Sequence, residues 1–167
     1  TYFGLYARRR MDLYGATEED FAQVKVKNSR HGLENPYARY RKEFTLDDVR
    51  ASPVVSGPLR LLEICATSDG AAALIVSSLD YARHLGVRDP VRVTGISTLL
   101  PTFPELVIEM PYLATDSAAA VGEPENSFRD SIARRAYQEA GLGPGDLDVA
   151  EVYDLSSAFE LDWYEHL

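Results

Sequence analysis

Tyr153 and Asp154, near the end of the chain, set a phenol and a carboxylate side by side. Both lie in residues 148–167, DVAEVYDLSSAFELDWYEHL, where one periodicity gives way to another. Residues 148–153 are a short β-prone run with apolar Val149, Ala150 and Val152. After the turn Tyr153-Asp154-Leu155-Ser156 a helix is expected. Ser157 and Glu160 make its capping box, and Phe159, Trp163 and Leu167 recur at i, i+4 and i+8. In open α/β sheets ligands gather at the carboxyl ends of strands, where helix N–H groups favour negative charge. Tyr153 and Asp154 are therefore a candidate site. A phenol, with a reference pKa of about 10, can donate a hydrogen bond to a developing enolate. With its pKa lowered it can instead take a proton from a hydroxyl. Asp154 can orient the phenol or a water, or cap the helix that follows. A strand-end tyrosine packed in the core is the competing reading of Tyr153, and residue types alone leave both open.

The elements that must position this pair can be read along the chain. Residues 2–14 form a helix that Gly15 closes. Thr17 starts a second, TEEDFAQVKVKN, acidic in its first turn and carrying Lys25 and Lys27 near its end. Residues 29–44 combine turn formers with Arg30, His31, Arg39, Arg41 and Lys42. That segment is either a solvated loop or a cradle for an anionic ligand, because the cations interleave with Tyr37 and Tyr40, which could stack on a base. Thr45 caps a short helix ending near Ser52-Pro53. Cys65-Ala66-Thr67-Ser68-Asp69 is a polar turn, and residues 70–76 read as a strand buried on both faces. A helix at 78–85 is closed by Gly86, and residues 91–97 alternate as a strand. Residues 99–125 carry Pro101, Pro104, Pro111 and Pro124 and read as irregular. Their apolar members, Phe103, Leu106, Val107, Ile108, Met110, Tyr112 and Leu113, either wall a pocket or pack on the core. A helix from Ser127, with Asp130 completing its capping box, runs to Ala140 and ends at Gly141.

The chain has 167 residues, 46% of them apolar, enough for a globular core. A net charge of −9 argues against nucleic acid and anionic membranes as partners. A local cation cluster can still hold a small anion. Cys65 is the only cysteine, so no internal disulfide forms and a reducing, cytoplasmic setting is expected. Following Leu-Leu-Glu-Ile and preceding a buried strand, it reads as a structural thiol. No metal site is expected. No apolar run reaches membrane-spanning length, and no signal peptide opens the chain. It lacks an initiator Met and stops inside an expected helix, which reads as a piece of a longer protein.

These patterns carry a resemblance. Residues 141–167, GLGPGDLDVAEVYDLSSAFELDWYEHL, resemble the thiolase-superfamily segment in which a helix leads to a strand bearing an Asn-Glu-Ala-Phe motif. Sterol-carrier-type thiolases place His-Asp there. Tyr153-Asp154 is most similar to the steroid side-chain-cleaving aldolases of the lipid-transfer-protein group. The YG, KN and NP elements spaced through residues 14–41 are similar to the loop domain that covers the CoA ligand in sterol-carrier-type thiolases. SDGAAALI, residues 68–75, resembles the strand that ends their N-terminal half, and the turn before it lines their pantetheine channel. The likeness is firm over 11–95 and 127–167 and faint over 99–125.

The resemblance implies an α/β, thiolase-like fold. Residues 1–65 would be a mostly helical loop domain, 66–90 the end of the N-terminal half and 91–167 the start of the C-terminal half. It implies catalytic Tyr153 and Asp154, and a CoA moiety held by Ala66, Thr67, Ser68 and Arg39 or Arg41. CoA would arrive as part of the substrate, with no separate cofactor. The implied reaction is retro-aldol cleavage of a 17-hydroxy steroid acyl-CoA to an androstane-type ketone and propionyl-CoA. Alternatives are a sterol-carrier-type 3-ketoacyl-CoA thiolase and a non-catalytic acyl-CoA-binding scaffold. The family's nucleophilic cysteine would lie upstream of Thr1 and its His-containing motif downstream of Leu167. An obligate homodimer is expected, with the small-residue strand at 70–76 meeting its copy across a two-fold axis. An OB-fold, zinc-ribbon protein of the DUF35 type accompanies this family and is the expected partner.

Overall fold

The helices form where their end signals are local and complete. In the computed structural model, which describes residues 2–100 and 128–167, α1 spans Tyr2–Tyr14 and stops at Gly15, at φ 71°. That left-handed conformation costs a glycine nothing and any larger residue a steric clash. Helix α2 (Glu18–Glu34) opens on a capping box: the Thr17 hydroxyl accepts from the Asp20 N–H, and the Asp20 carboxylate accepts from the Thr17 N–H at 2.8 Å. Those bonds hold the Asp20 carboxyl below its ordinary pKa. Thr45 and Asp48 repeat the device for α3 (Leu46–Ala51). One expectation falls short here, since α2 runs on past Asn28 into the turn-forming segment. Gly32 suits this, because a Cβ there would stand 3.3 Å from the Tyr40 carbonyl of the returning chain.

Helix α2 is the middle layer. On one side its Phe21 shares a buried cluster with Tyr6 and Ala7 of α1, Leu59, and Ala158 and Phe159 of α6 (Ser157–His166). The Tyr6 ring stacks on Phe159 at 4.3 Å between centroids, and Phe3 meets the same ring edge-on at 5.8 Å. On the other side Ala22 and Val26 pack with Val49 of α3, flanked by Phe44, Leu46 and Leu62. The larger cluster therefore joins residues from both ends of the chain. Strands β1 (Val54–Ser56) and β2 (Leu59–Arg60) form a small antiparallel hairpin against α1. There the Gly4 N–H donates to the Ser56 hydroxyl at 3.1 Å, and a Cβ at Gly4 would lie 2.5 Å from the Ser56 carbonyl. A 3-10 turn, Leu61–Glu63, follows.

The α/β expectation is met in part, by helices and one two-stranded sheet among the described residues. The three strands expected at 70–76, 91–97 and 148–153 form no ladder. Leu74, Ile75 and Val76, expected to be buried on both faces, are 91%, 99% and 82% exposed. The cause is physical: a strand satisfies its backbone only through a neighbouring strand, and among the described residues none pairs with these runs. The later helices do form. Ser78 caps α4 (Leu79–His84), which ends before Gly86 at φ 77°, and α5 (Phe128–Ala140) ends at Gly141 at φ 69°. Gly95 lies close against α5, where a Cβ would meet the Ala136 carbonyl at 2.5 Å, and the Ile96 N–H donates to Glu139 at 3.0 Å. Ser127 and the candidate pocket wall from Phe103 to Leu113 lie outside the described residues.

Candidate active site

Two backbone contacts far apart in sequence assemble the site. Ile64 and Ser156 form an isolated antiparallel bridge, and the Cys65 N–H donates to the Leu155 carbonyl at 3.2 Å. They lay residues 65–68 alongside residues 153–154. The expected capping box at Ser157 is absent. Ser156 is the N-cap and makes no side-chain cap bond, while the Ser157 hydroxyl donates to the Glu63 carbonyl at 3.3 Å. Released from capping, Glu160 turns inward. Asp154 does not cap α6 either, because the helix begins three residues later.

A cavity of about 880 Å³ opens where these segments meet. Tyr153, Asp154, Arg39, Ala66, Thr67 and Ser68 all line it, and Arg41 does not. Tyr153 is 65% exposed, so it is no packed core tyrosine. Arg39 donates to the Thr67 carbonyl, and its guanidinium lies 5.4 Å from the Tyr40 ring centroid. Of the other loop cations, Lys42 lines the cavity, whereas Arg30 is paired with Glu43 at 2.9 Å. Cys65 also lines the cavity and is exposed, which overturns its reading as a packed structural thiol.

Three residues not foreseen as part of the site shape its electrostatics. Lys25 lines the cavity with its ammonium 5.5 Å from the Tyr40 ring and 5.2 Å from the Phe44 ring. Burial lowers its pKa, against the opposing pull of Asp154 and Tyr40. The Asn28 amide donates to Asp154 Oδ2 at 3.1 Å and also to Glu160 Oε2. Glu160 is 1% exposed and takes Lys27 and the Tyr164 hydroxyl on its other oxygen. Asp154 is exposed as a residue, but its carboxyl is crowded. Burial, reinforced by the charge of Glu160, raises its pKa, while Asn28 and Lys25 pull it down. Burial works against the Lys27 charge too, yet Glu160 and Tyr164 outweigh it and hold Lys27 above its ordinary value. The sequence carried one usable signal for these residues: Lys25 and Asn28 are three apart on a helix and so share a face.

The arrangement thus joins a phenol, a carboxylate of raised pKa, a half-buried lysine and an arginine around one cavity. That combination can hold an anion and move a proton. Among the described residues no group of three or more His, Cys, Asp or Glu is placed to hold a metal. No helix there is long and apolar enough to cross a membrane.

The architecture has a solved counterpart. The chain matches the structure of the Ltp2-ChsH2(DUF35) aldolase with a TM-score of 0.79 and 31% identity, over 99% of this chain and 41% of that one. No protein-family model matches it. It is 35% identical to the benzoylsuccinyl-CoA thiolase subunit BbsB of Thauera aromatica, over 99% of this chain and 40% of that protein. Sterol carrier protein 2 of Oryctolagus cuniculus is 34% identical, over 99% of this chain and 29% of that protein. The 17-hydroxy-3-oxo-4-pregnene-20-carboxyl-CoA lyase of Mycobacterium tuberculosis is 34% identical, over 98% of this chain and 40% of that protein. The chain is a homologue of the group its motifs resemble, the thiolase, sterol-carrier and steroid side-chain-cleaving aldolase proteins. It spans less than half the length of each.

Proposed function

We propose that this chain supplies part of the active site of an enzyme that cleaves a β-hydroxyacyl-CoA by retro-aldol chemistry. The substrate would be a 17-hydroxy steroid side-chain acyl-CoA, and the products an androstane-type ketone and propionyl-CoA. The observation that carries this reading is the cavity that brings Tyr153 and Asp154 together with Arg39 and residues 66–68. The names of the lyase and aldolase relatives support the reaction type.

The chemistry needs a base and a hydrogen-bond donor. Asp154 takes the proton of the β-hydroxyl. The bond between the α- and β-carbons then breaks, its electron pair passes into the thioester enolate, and the β-carbon is left as the ketone. Tyr153 donates a hydrogen bond to the enolate oxygen, where charge develops. The proton taken by Asp154 passes back through water to the α-carbon, which releases the shortened acyl-CoA and restores the base. No acyl-enzyme forms, and no cofactor beyond the CoA of the substrate takes part. Arg39, Lys25 and Lys42 suit the anionic end of CoA, and the turn at 66–68 suits its pantetheine arm.

The enzyme would work as a homodimer in the cytoplasm. The exposed run Leu74-Ile75-Val76 supports an interface, and the single cysteine supports the compartment. A DUF35-type, OB-fold and zinc-ribbon partner is supported by the structural neighbour, an aldolase that carries DUF35 in its name. A 3-ketoacyl-CoA thiolase is the second reading, favoured by Cys65 at the cavity and by the thiolase relative. The test is to incubate the intact enzyme with 17-hydroxy-3-oxo-4-pregnene-20-carboxyl-CoA, with and without free CoA. Ketone and propionyl-CoA should appear in equal amounts without added CoA. Strict dependence on free CoA would return the protein to the thiolases.

A further inference from the structure

We infer that Asn28 is a positioning residue for this reaction, its side-chain amide tying the Asp154 carboxylate at the cavity to Glu160 in the core. A side-chain amide nitrogen carries two hydrogens. Here each has its own carboxylate, Asp154 Oδ2 at 3.1 Å and Glu160 Oε2. Glu160 is 1% exposed, and a carboxylate buried so deeply must be paired. Lys27 and Tyr164 satisfy Oε1, which leaves Oε2 to Asn28. The core therefore fixes Glu160, Glu160 fixes the amide, and the amide fixes Asp154. Without that shared donor, two neighbouring carboxylates would face each other with only repulsion between them.

Two charged groups bear directly on Asp154, Lys25 from α2 and Glu160 from α6. The other groups in the cavity lining that can carry charge are Arg39, Tyr40, Lys42, Glu63, Cys65 and Tyr153. Asn28 favours the ionised form of Asp154, against burial and the charge of Glu160. A base works only when ionised, so activity falls as pH drops through the pKa of Asp154. Loss of the amide raises that pKa further and moves the acid limb of the rate profile upward.

This inference rests on the reading of Asp154 as the base, and the test separates the two. Asn28→Ala, Asn28→Leu and Asp154→Asn are made in the intact enzyme and assayed with 17-hydroxy-3-oxo-4-pregnene-20-carboxyl-CoA across pH. Asn28→Leu keeps the side-chain size, adds no charge and carries the test if Asn28→Ala does not fold. Both Asn28 variants should lose roughly 10- to 100-fold in kcat, with KM little changed. Their acid limb should move up by about one pH unit, the equivalent of one charge-assisted hydrogen bond. A purely structural role would lower the melting temperature and leave the limb in place. An unmoved limb and wild-type kcat, alongside an inactive Asp154→Asn, would overturn the role of Asn28 and spare the base. Full activity in Asp154→Asn would overturn both.

Discussion

Residues 2–65 with α6, and residues 66–100, are both rich in apolar side chains, yet only the first set builds a core. Phe21, Leu59, Ala158 and Phe159 are buried, whereas Ile75 and Val91 are almost fully exposed. The difference lies in how each element satisfies its backbone. A helix pairs its own N–H and C=O groups and needs a neighbour only for one apolar face. A strand needs neighbours for its backbone as well, and a strand meant for burial on both faces needs covering layers too. The helical part thus provides a rigid wall, and the segment at 65–68, tied to it by the Ile64–Ser156 bridge, provides the opposite side of the cavity.

The sharpest way to break this contrast is to weaken each region in turn. Phe159→Ala empties the centre of the aromatic cluster and should cost about 3–5 kcal/mol of stability, read by denaturant unfolding of the intact protein. Ile75→Ala, in a run exposed in this chain and covered in the proposed dimer, should also lower the unfolding midpoint of the intact protein, by a smaller amount. An unchanged midpoint at Ile75 would show that the run stays solvated and would count against the dimer.

Activity should divide differently. Tyr153→Phe removes a hydroxyl from an exposed side chain and should leave the melting temperature unchanged. Its kcat should fall about 10²- to 10³-fold. A fall in melting temperature with normal kcat would make Tyr153 a packing residue. The smallest effect is expected from the loop cations. Arg39→Glu should raise KM for the acyl-CoA about tenfold, because Arg39 lines the cavity. Arg41→Glu, outside that lining, should leave KM unchanged. Equal effects at the two positions would mean that the segment acts through its general charge.

Much of the helical part was legible because its signals are short-ranged. Thr17 and Thr45 at the starts of their helices, and the closing glycines Gly15, Gly86 and Gly141, stand where spacing puts them. The capping box at Ser157 and Glu160 failed for an instructive reason. The same two residue types had longer-range partners, the Glu63 carbonyl for Ser157 and the Lys27, Asn28 and Tyr164 groups for Glu160. A buried ion pair outweighs a surface cap, because an unpaired buried carboxylate costs far more than a frayed helix turn.

The sequence by itself determined where five of the helices lie, which residue types stand at the turn before α6, and the group of proteins to which they are similar. Tertiary structure alone decided what those residues meet. The bond from Asn28 to Asp154 spans 126 positions, and the one from Asn28 to Glu160 spans 132. A capping box closes within one turn and is written in adjacent letters. Contacts of such range depend on how α2 and α6 pack, and packing is set by the summed burial of Phe21, Ala158, Phe159 and their neighbours.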